Sequence, residues 1–485
     1  MNSVIKFVFK NKTVEIDFEK NQCFNPSITL LDYLRLTGNS KGVKEGCAEG
    51  DCGACTVVIA ETDKNGRLHY KAVDSCLMFL PMIHGKQLIC VEDLVLAENG
   101  RQQLHPVQQC MVESDATQCG YCTPGFVMSV FALFKNNNNP TEQEIVNALS
   151  GNLCRCTGYQ PIIDAAKKAC VYNGIDHFSD DEKKVVALLN EILIDTTTIE
   201  LKNTSQLYFK PLLLHEALRL RNEFPLATIV NGSTDIALRQ TKKKELIRQI
   251  IDISDVSELN GFYEDDNQYI FGAGTTIETV LKQSSGKIPA LETMLAQFGS
   301  LQIRNIATIG GNLSSASPIG DTTPVLFVLG AHVRLKSIIS DRQIPVEDFI
   351  TGYRKTVMDF GEILTEIMIP KYDASYLTAS YKVSKRKSLD ISTLSAAFLV
   401  KLQDGNVEEI RIAFGGMAAV TSFAVKTQSF LNSREWNRKY IEQAIQILSE
   451  EFTPISDARA DANYRKNVAA NLLLKFFIST PYGAK

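Results

Sequence analysis

Twelve cysteines fall in this 485-residue chain, all of them between Cys23 and Cys170. Four are spaced Cys47-x4-Cys52-x2-Cys55, with Cys76 further along. That is the C-x4-C-x2-C…C spacing of plant-type [2Fe–2S] loops. Three thiolates must converge from one tight turn. Gly46, Gly50 and Gly53 permit this, because glycine adopts backbone angles that side chains avoid. Amide N–H groups in such a turn point at the sulfurs and help hold negative charge. Cys76 closes the set from a separate segment. Structural zinc is the other chemistry open to four cysteines, but it prefers paired short knuckles to one three-cysteine loop.

A second set is Cys119-Gly120-Tyr121-Cys122 followed by Cys154-Arg155-Cys156. Its spacing suits zinc or a second [2Fe–2S] cluster. Beside the first loop the cluster is favoured, since electron transfer wants two nearby one-electron sites. The turns precede expected helix starts at Pro124 and near Tyr159, where the helix dipole favours an anionic cluster. Cys23, Cys90, Cys110 and Cys170 fit neither set and are expected to be small buried hydrophobes in a reducing compartment. His105, beside Pro106, reads as a helix-entry residue.

The elements that must position these groups follow from pattern. A β-hairpin is expected from Val4–Phe9 and the alternation of Val14, Ile16 and Phe18, with Lys10-Asn11-Lys12 as its turn. Thr29 precedes a short helix carrying Leu30, Leu31 and Leu34, and Thr56 to Ile59 reads as a buried strand. From about residue 91 the pattern turns helical. Pro124 opens one helix, Asn136 to Pro140 end it, and Thr141 with Glu144 forms a capping box for the next, closing near Gly151. A last helix is expected over 164–170. The run Asp180-Asp181-Glu182-Lys183-Lys184 reads as a solvated face, followed by a docking helix over 185–193. Further on, 229–233, 269–272 and 303–311 read as strand-to-loop junctions. Strands are expected at 396–402 and 410–414, and a helix carries Tyr440, Ala444 and Leu448. This gives a multidomain α+β chain: residues 1–88, 89–170, a linker at 171–205, then 206–374 and 375–485.

Composition bounds the function classes. Lys plus Arg number 51 against 55 Asp plus Glu, a net charge of −4. That balance lacks the basic excess of a general nucleic-acid binder. Hydrophobic content of 45% and charged content of 22% are ordinary for a globular protein. No apolar run approaches the ~18 residues of a membrane span, and the N-terminus has no signal-peptide pattern. A cytoplasmic protein with neither nucleic acid nor membrane as partner is expected.

Three long motifs, 46–56, 118–125 and 151–159, resemble the signatures of the xanthine oxidase family of molybdenum hydroxylases, in the family's order. The resemblance implies two [2Fe–2S] clusters, one on Cys47, Cys52, Cys55 and Cys76 in a plant-type ferredoxin (β-grasp) domain. The other would lie on Cys119, Cys122, Cys154 and Cys156 in a helical bundle. It continues into an FAD-binding domain of the PCMH, vanillyl-alcohol-oxidase-like type with two subdomains, and a C-terminal CO-dehydrogenase-flavoprotein-like domain. There Ile229, Val230, Asn231, Gly232, Ser233, Thr234, Asp235 and Ile236 resemble a first FAD-pyrophosphate loop. Thr308, Ile309, Gly310, Gly311, Asn312, Ser315, Ser317 and Asp321 resemble a second. The glycines would let backbone N–H groups approach phosphate, although neither loop is a Rossmann glycine motif. By the same likeness Phe298 and Leu364 sandwich the adenine, while Asp321 and Lys382 hydrogen-bond the cofactor.

Nothing in the chain resembles a molybdopterin-binding segment. The likeness therefore implies a separate iron–sulfur and flavin subunit, of the type that serves purine oxidation. Hydroxylation would occur on a large molybdenum-cofactor subunit, with NAD⁺ as acceptor and an assembly of two small and two large subunits. The same role in an enzyme acting on aldehydes or N-heterocycles stays open.

Overall fold

The computed structural model describes residues 2–20, 24–37, 40–98, 101–172 and 175–483. The backbone divides into two units, one of residues 1–257 with 300–307, the other of 258–299 with 308–485. Cys23 lies outside the described residues.

The first unit begins with the expected hairpin. Val4–Phe9 pairs antiparallel with Lys12–Asp17. Lys10 and Asn11, both at positive φ, make the two-residue turn whose twist suits a hairpin. These strands join a five-stranded sheet in the order Lys12–Asp17, Val4–Phe9, Gln87–Ile89, Thr56–Thr62, Leu68–Asp74. Only the pairing of Val4–Phe9 with Gln87–Ile89 is parallel. The helix Leu30–Leu36 is N-capped by Thr29. Seven residues do not hold a helix in water. Leu30, Leu31 and Leu34 hold it by packing on Phe7, Val57 and Leu88, each buried leucine stabilising by about 1.5–3 kcal/mol. Mixed pairing with one helix across the face is the β-grasp arrangement.

Four helices follow, Pro106–Glu113, Thr123–Asn136, Glu142–Leu149 and Gln160–Cys170. The Thr141–Glu144 capping box forms as expected. The last helix starts four residues earlier than its sequence pattern indicates. Their apolar faces share a core with Val58 and Ala60 of the first sheet, so the two regions are packed as one. Cys90, Cys110 and Cys170 are buried, as expected.

The helix after residue 175 departs from the sequence reading. It runs His177–Leu193 rather than 185–193. Its N-cap Asp176 is buried and takes hydrogen bonds from His105 Nε2 at 2.9 Å and Lys135 Nζ at 2.6 Å. The charge run is not merely a solvated face. Asp181 accepts from Asn11 Nδ2, and Glu182 accepts from the Leu68 amide at 2.8 Å.

A four-stranded sheet completes this unit in the order Thr228–Val230, Gln249–Asp252, Leu207–Lys210, Ile199–Lys202. The first three strands are parallel. Buried charges lie at its margin: Lys210 pairs with Asp252 and Asp255, and Lys86 reaches Asp255 from the first sheet. Residues 303–311, expected as a strand and loop, are instead two helical turns, Leu301–Arg304 in this unit and Ile309–Ser314 in the other. Ser300 and Thr308 cap them by accepting from Ile303 N and Gly311 N.

The second unit holds an antiparallel sheet in the order Phe262–Glu264, Gln268–Gly272, Ile363–Pro370, His332–Lys336, Asp341–Pro345. It also holds an antiparallel sheet of Tyr376–Val383, Leu394–Gln403, Asn406–Gly415 and Ser422–Phe423. The latter packs its Phe398 and Phe414 on Trp436 and on Phe476 and Phe477 of the helix Ala462–Ser479. No helix among the described residues is long and apolar enough to cross a membrane.

Candidate iron–sulfur centres and flavin loops

The loop 46–55 is closed by sulfur-directed amides. Cys47 Sγ accepts from the amides of Glu49, Asp51 and Cys52 at 3.4, 3.2 and 3.3 Å, and Cys52 Sγ accepts from the Cys47 amide at 3.3 Å. A hydrogen bond from the Cys52 thiol, joined by those amides, brings the Cys47 thiol down to about 5, against the opposing effect of burial. Its partner Cys52 is pushed up, first by that shared hydrogen bond and then by burial. Cys55 and Cys76 are buried and hydrogen-bond each other. Beside them Asp74 is fully buried, and burial holds its carboxyl well above the usual range.

Two glycines of this loop have no alternative. Gly50 and Gly53 have φ of +75° and +67°. A Cβ on Gly50 would lie 2.4 Å from Leu77 Cδ1, and one on Gly53 would lie 2.3 Å from the Gly151 carbonyl oxygen.

The second set is arranged differently. Cys119 and Cys156 are exposed, with their sulfurs 3.8 Å apart, while Cys122 and Cys154 are half-buried and hydrogen-bonded to each other as free thiols. Cys122 itself is pushed up to about 12, by burial first and then by the Cys154 sulfur. Cys122 caps the helix Thr123–Asn136, and Tyr159, at φ +70°, precedes the helix Gln160–Cys170. Cys154 Sγ accepts from the amides of Cys156 and Thr157.

A metal–sulfur bond of about 2.3 Å makes the edge of a tetrahedron about 3.8 Å. The Cys119–Cys156 separation matches that edge. Among the described residues no three Cys, His, Asp or Glu groups close on one metal point. The thiols meet in twos: Cys47 with Cys52, Cys55 with Cys76, Cys119 with Cys156, Cys122 with Cys154.

The two sets are joined. The Leu153 amide donates to the Cys52 carbonyl at 3.0 Å, one residue before Cys154. Asn152 Nδ2 donates to Gly53 O and Thr56 Oγ1, both at 3.1 Å, while its Oδ1 accepts from Ser129 and Gln302. Sequence reading assigned Asn152 no role. Its only sequence signal was its place inside the motif 151–159.

The first flavin-loop candidate, Ile229 to Ile236, lies in the same unit as the cysteines. Ile229 and Val230 end a parallel strand, and the loop leads into the helix Ala237–Thr241. A Cβ on Gly232 would lie 1.9 Å from the Ile306 carbonyl oxygen, so this glycine is required by the protein's own packing. Ser233, at φ +57°, donates its hydroxyl to the Leu77 carbonyl, one residue past Cys76. That hydroxyl is therefore engaged within the chain. Asn231, Thr234 and Asp235 remain at least partly exposed.

The second candidate, with Thr308 to Asp321, lies in the other unit. A Cβ on Gly310 would meet Ala273 O at 2.7 Å and Leu364 Cδ2 at 2.8 Å. Its bareness permits the close approach of Ala273 and Leu364. At Gly311 the one contact a Cβ would make among the described residues is with Thr308 Oγ1, at 2.8 Å. Asn312 accepts from Thr322 Oγ1 at 2.6 Å, Ser315 donates to Asn312 O at 2.8 Å, and Ser317 accepts from the Ile319 amide. Asp321 and Lys382, expected to bond a cofactor, bond each other at 2.8 Å, and Ser392 also donates to Asp321. Leu364 is buried and Phe298 half-buried in this unit.

Residues 91–167 match the family described as "[2Fe-2S] binding domain". Residues 200–372 match "FAD binding domain in molybdopterin dehydrogenase", and 379–480 match "CO dehydrogenase flavoprotein C-terminal domain". Xanthine dehydrogenase 1 of Arabidopsis thaliana is 31% identical over 93% of this chain and 38% of its own. Xanthine dehydrogenase/oxidase of Gallus gallus is 30% identical over 99% of this chain and 40% of its own. The chain thus spans about two fifths of the length of these relatives. Among solved structures, carbon monoxide dehydrogenase from Hydrogenophaga pseudoflava superposes with a TM-score of 0.53 at 23% identity, over 55% of this chain and 93% of that one. Quinoline 2-oxidoreductase from Pseudomonas putida 86 does so with 0.52 at 23%, over 57% and 96%. These structures share the fold of the part of the chain that they cover.

Proposed function

We propose that the chain belongs to the xanthine oxidase family of molybdenum hydroxylases, as its iron–sulfur and flavin portion, and that it is the electron-transfer component of a xanthine dehydrogenase. In this reading Cys47, Cys52, Cys55 and Cys76 hold one [2Fe–2S] cluster, and Cys119, Cys122, Cys154 and Cys156 hold the other. The pairing of thiols in twos suits two irons with two cysteines each. Ile229 to Ile236, Thr308 to Asn312, Ser315, Ser317, Asp321, Leu364, Lys382 and Phe298 bind FAD. The clusters supply one-electron sites, and the flavin joins single electrons into a hydride for NAD⁺.

One observation carries the order of transfer. Two hydrogen bonds tie three loops in a row: Leu153 N–H to Cys52 C=O, and Ser233 O–H to Leu77 C=O. The helical-bundle set is thus joined to the ferredoxin-like set, and that set to the first flavin loop. The exposed end of the row is Cys119 and Cys156, flanked by Tyr121 and Tyr159, 49% and 38% exposed. That end is where a large molybdenum subunit would deliver electrons from hypoxanthine or xanthine, in an assembly of two small and two large chains in the cytoplasm.

Cys47→Ser and Cys119→Ser test the reading. Each removes one of two [2Fe–2S] signals in electron paramagnetic resonance (EPR) and leaves the other. The full chain oxidises NADH with an artificial acceptor, and with its large subunit it oxidises xanthine. Retention of both signals in either variant rejects the cysteine assignment. A complex that oxidises an aldehyde or another N-heterocycle in place of xanthine rejects the substrate.

A further inference from the structure

We propose that Lys44 and Lys242 each set the reduction potential of one cluster, Lys44 that of the helical-bundle cluster and Lys242 that of the ferredoxin-like one. The inference rests on the cluster reading above and goes beyond it, by assigning the two steps of the path separate electrostatic controls.

Lys44 belongs to one loop and places its charge on the other. Its amide donates to Ala54 O at 3.0 Å, which fixes its main chain against the first cysteine loop. Its Nζ instead donates to Gly120 O at 3.0 Å and Tyr121 O at 3.2 Å, between Cys119 and Cys122. It lies 5.0 Å from the centre of the Tyr121 ring. Tyr121 answers by donating its hydroxyl to Glu45 O at 2.6 Å. Among the described residues the Lys44 ammonium touches two carbonyls and an aromatic face, which orient it without cancelling its charge.

Lys242 does the converse. It follows the helix Ala237–Thr241 that succeeds the first flavin loop, and its Nζ donates to the carbonyl of Cys47 at 3.1 Å. Glu49 lies 3.3 Å from the same nitrogen. Removing Lys242 therefore deletes a positive charge and also leaves Glu49 unopposed beside the loop.

A [2Fe–2S] centre on four thiolates is anionic, and reduction adds a further negative charge. A fixed cation within a few ångströms stabilises the reduced form more than the oxidised one, and so raises the potential. Both lysines are partly solvated, so each effect is moderate and falls off with distance. Each lysine therefore acts chiefly on the loop it touches. Electrons move in steps whose spacing in potential decides their direction, so a separate cation at each step lets the two be adjusted independently.

The experiment is a redox titration of the full chain, loaded with both clusters and followed by EPR. The two signals are first assigned through Cys47→Ser and Cys119→Ser. A failure of the cluster reading appears at that stage, before any lysine is touched. Lys44→Met is expected to shift the reduction equilibrium of the helical-bundle signal threefold to tenfold toward the oxidised form. Tenfold corresponds to about 59 mV for one electron. The other signal moves less than half as far. Lys242→Met gives the mirror result, Lys44→Arg restores the native value, and Tyr121→Phe, which changes no charge, leaves both potentials in place. The proposal is overturned if Lys44→Met moves neither potential or both equally, or if it abolishes a signal outright. It is equally overturned if Lys44→Arg fails to restore the potential.

Discussion

A side chain at Gly53 would lie 2.3 Å from the Gly151 carbonyl oxygen, whereas one at Gly120 would meet nothing within 4 Å. Both glycines sit at positive φ in a cysteine turn, +67° and +78°. The first turn is walled in by Leu77, Ile303, Gly151 and Asn152. The second is shaped by its own amides and by the helix starts at Cys122 and Tyr159, and it leaves Cys119 and Cys156 in solvent. The comparison teaches that similar ligand chemistry can be held by tertiary packing or by local geometry. The packed turn is the one in the middle of the row of loops, with a neighbour to reach on either side. The open turn has one neighbour in this chain and a free face.

The largest effect follows from breaking the packed turn. Gly53→Val adds atoms into backbone at a φ that β-branched residues avoid. A cost above about 3 kcal/mol is expected from collision and strain together. The variant should lose iron from both cysteine sets, because Gly53 O is the acceptor that fixes Asn152 in the second motif. Iron per chain and the thermal midpoint read the result. Loss confined to one set breaks the comparison.

Asn152→Ala comes next. It leaves Gly53 O and Thr56 Oγ1 without their Asn152 donor, and Ser129 and Gln302 without their acceptor on that side chain. Each unsatisfied buried group costs about 1–3 kcal/mol, and relaxation recovers part of it. We expect about 2–4 kcal/mol in denaturant unfolding. The first cluster should become more labile to chelators, although Asn152 lies beside the ligands of the second. Greater lability of the second would show that the clamp serves its own loop.

Acid should also separate the regions. His84 is buried in the ferredoxin-like domain and accepts the Lys6 amide on Nδ1 at 3.1 Å. Burial, reinforced by the Lys210 charge, lowers its pKa to about 4, below the ordinary 6.5. A depressed value means that the fold favours the neutral ring. The stability this contributes is complete above about 6.5 and is lost as pH falls toward 4, by about 1.4 kcal/mol per pH unit at most. His84→Asn should flatten that slope. Asp93, pushed up to about 6 chiefly by burial, works in the opposite sense in both proteins and so cancels in the difference. Equal slopes for wild type and variant would remove His84 as the cause.

Much of this was legible in sequence because local chemistry imposes local pattern. The Lys10–Asn11 turn, the Thr29 and Thr141 caps and the Pro124 helix start all formed where turn and cap chemistry put them. The convergence of Cys47 with Cys52 was legible because thiols that meet from one short loop need close spacing and glycines between them. The two turns at 301–304 and 309–314 were misread as strand and loop. Their caps, Ser300 and Thr308, stand among glycines and asparagine that read as a turn. The early start of the helix at His177 was hidden by its charge run, which is satisfied by Asn11 and Leu68 far away in the chain. Asn152, Lys44, Lys242 and the Ser233–Leu77 bond left no signal of their own. Each joins residues distant in sequence, and such contacts impose no periodicity.

The smallest effect sharpens the comparison most. Gly120→Ala puts a methyl group where nothing stands within 4 Å, so no collision follows. What remains is the left-handed backbone, which costs an L-residue about 1–2 kcal/mol. That cost falls on a half-exposed turn whose amides, carbonyls and sulfurs keep their partners. Lys44 still reaches Gly120 O, since the carbonyl does not depend on the side chain. The variant should therefore fold, keep full iron, and show both EPR signals, with a thermal midpoint only slightly lowered. Gly53→Ala, at nearly the same φ, pays the same backbone strain and in addition meets Gly151 O and Asn152. The difference between the two alanine variants then isolates the packing contribution, since the strain is common to both. If they lose stability equally, the first turn is not held by its walls. If Gly120→Ala alone loses iron, the open turn is the more constrained of the two, and the contrast between them is reversed.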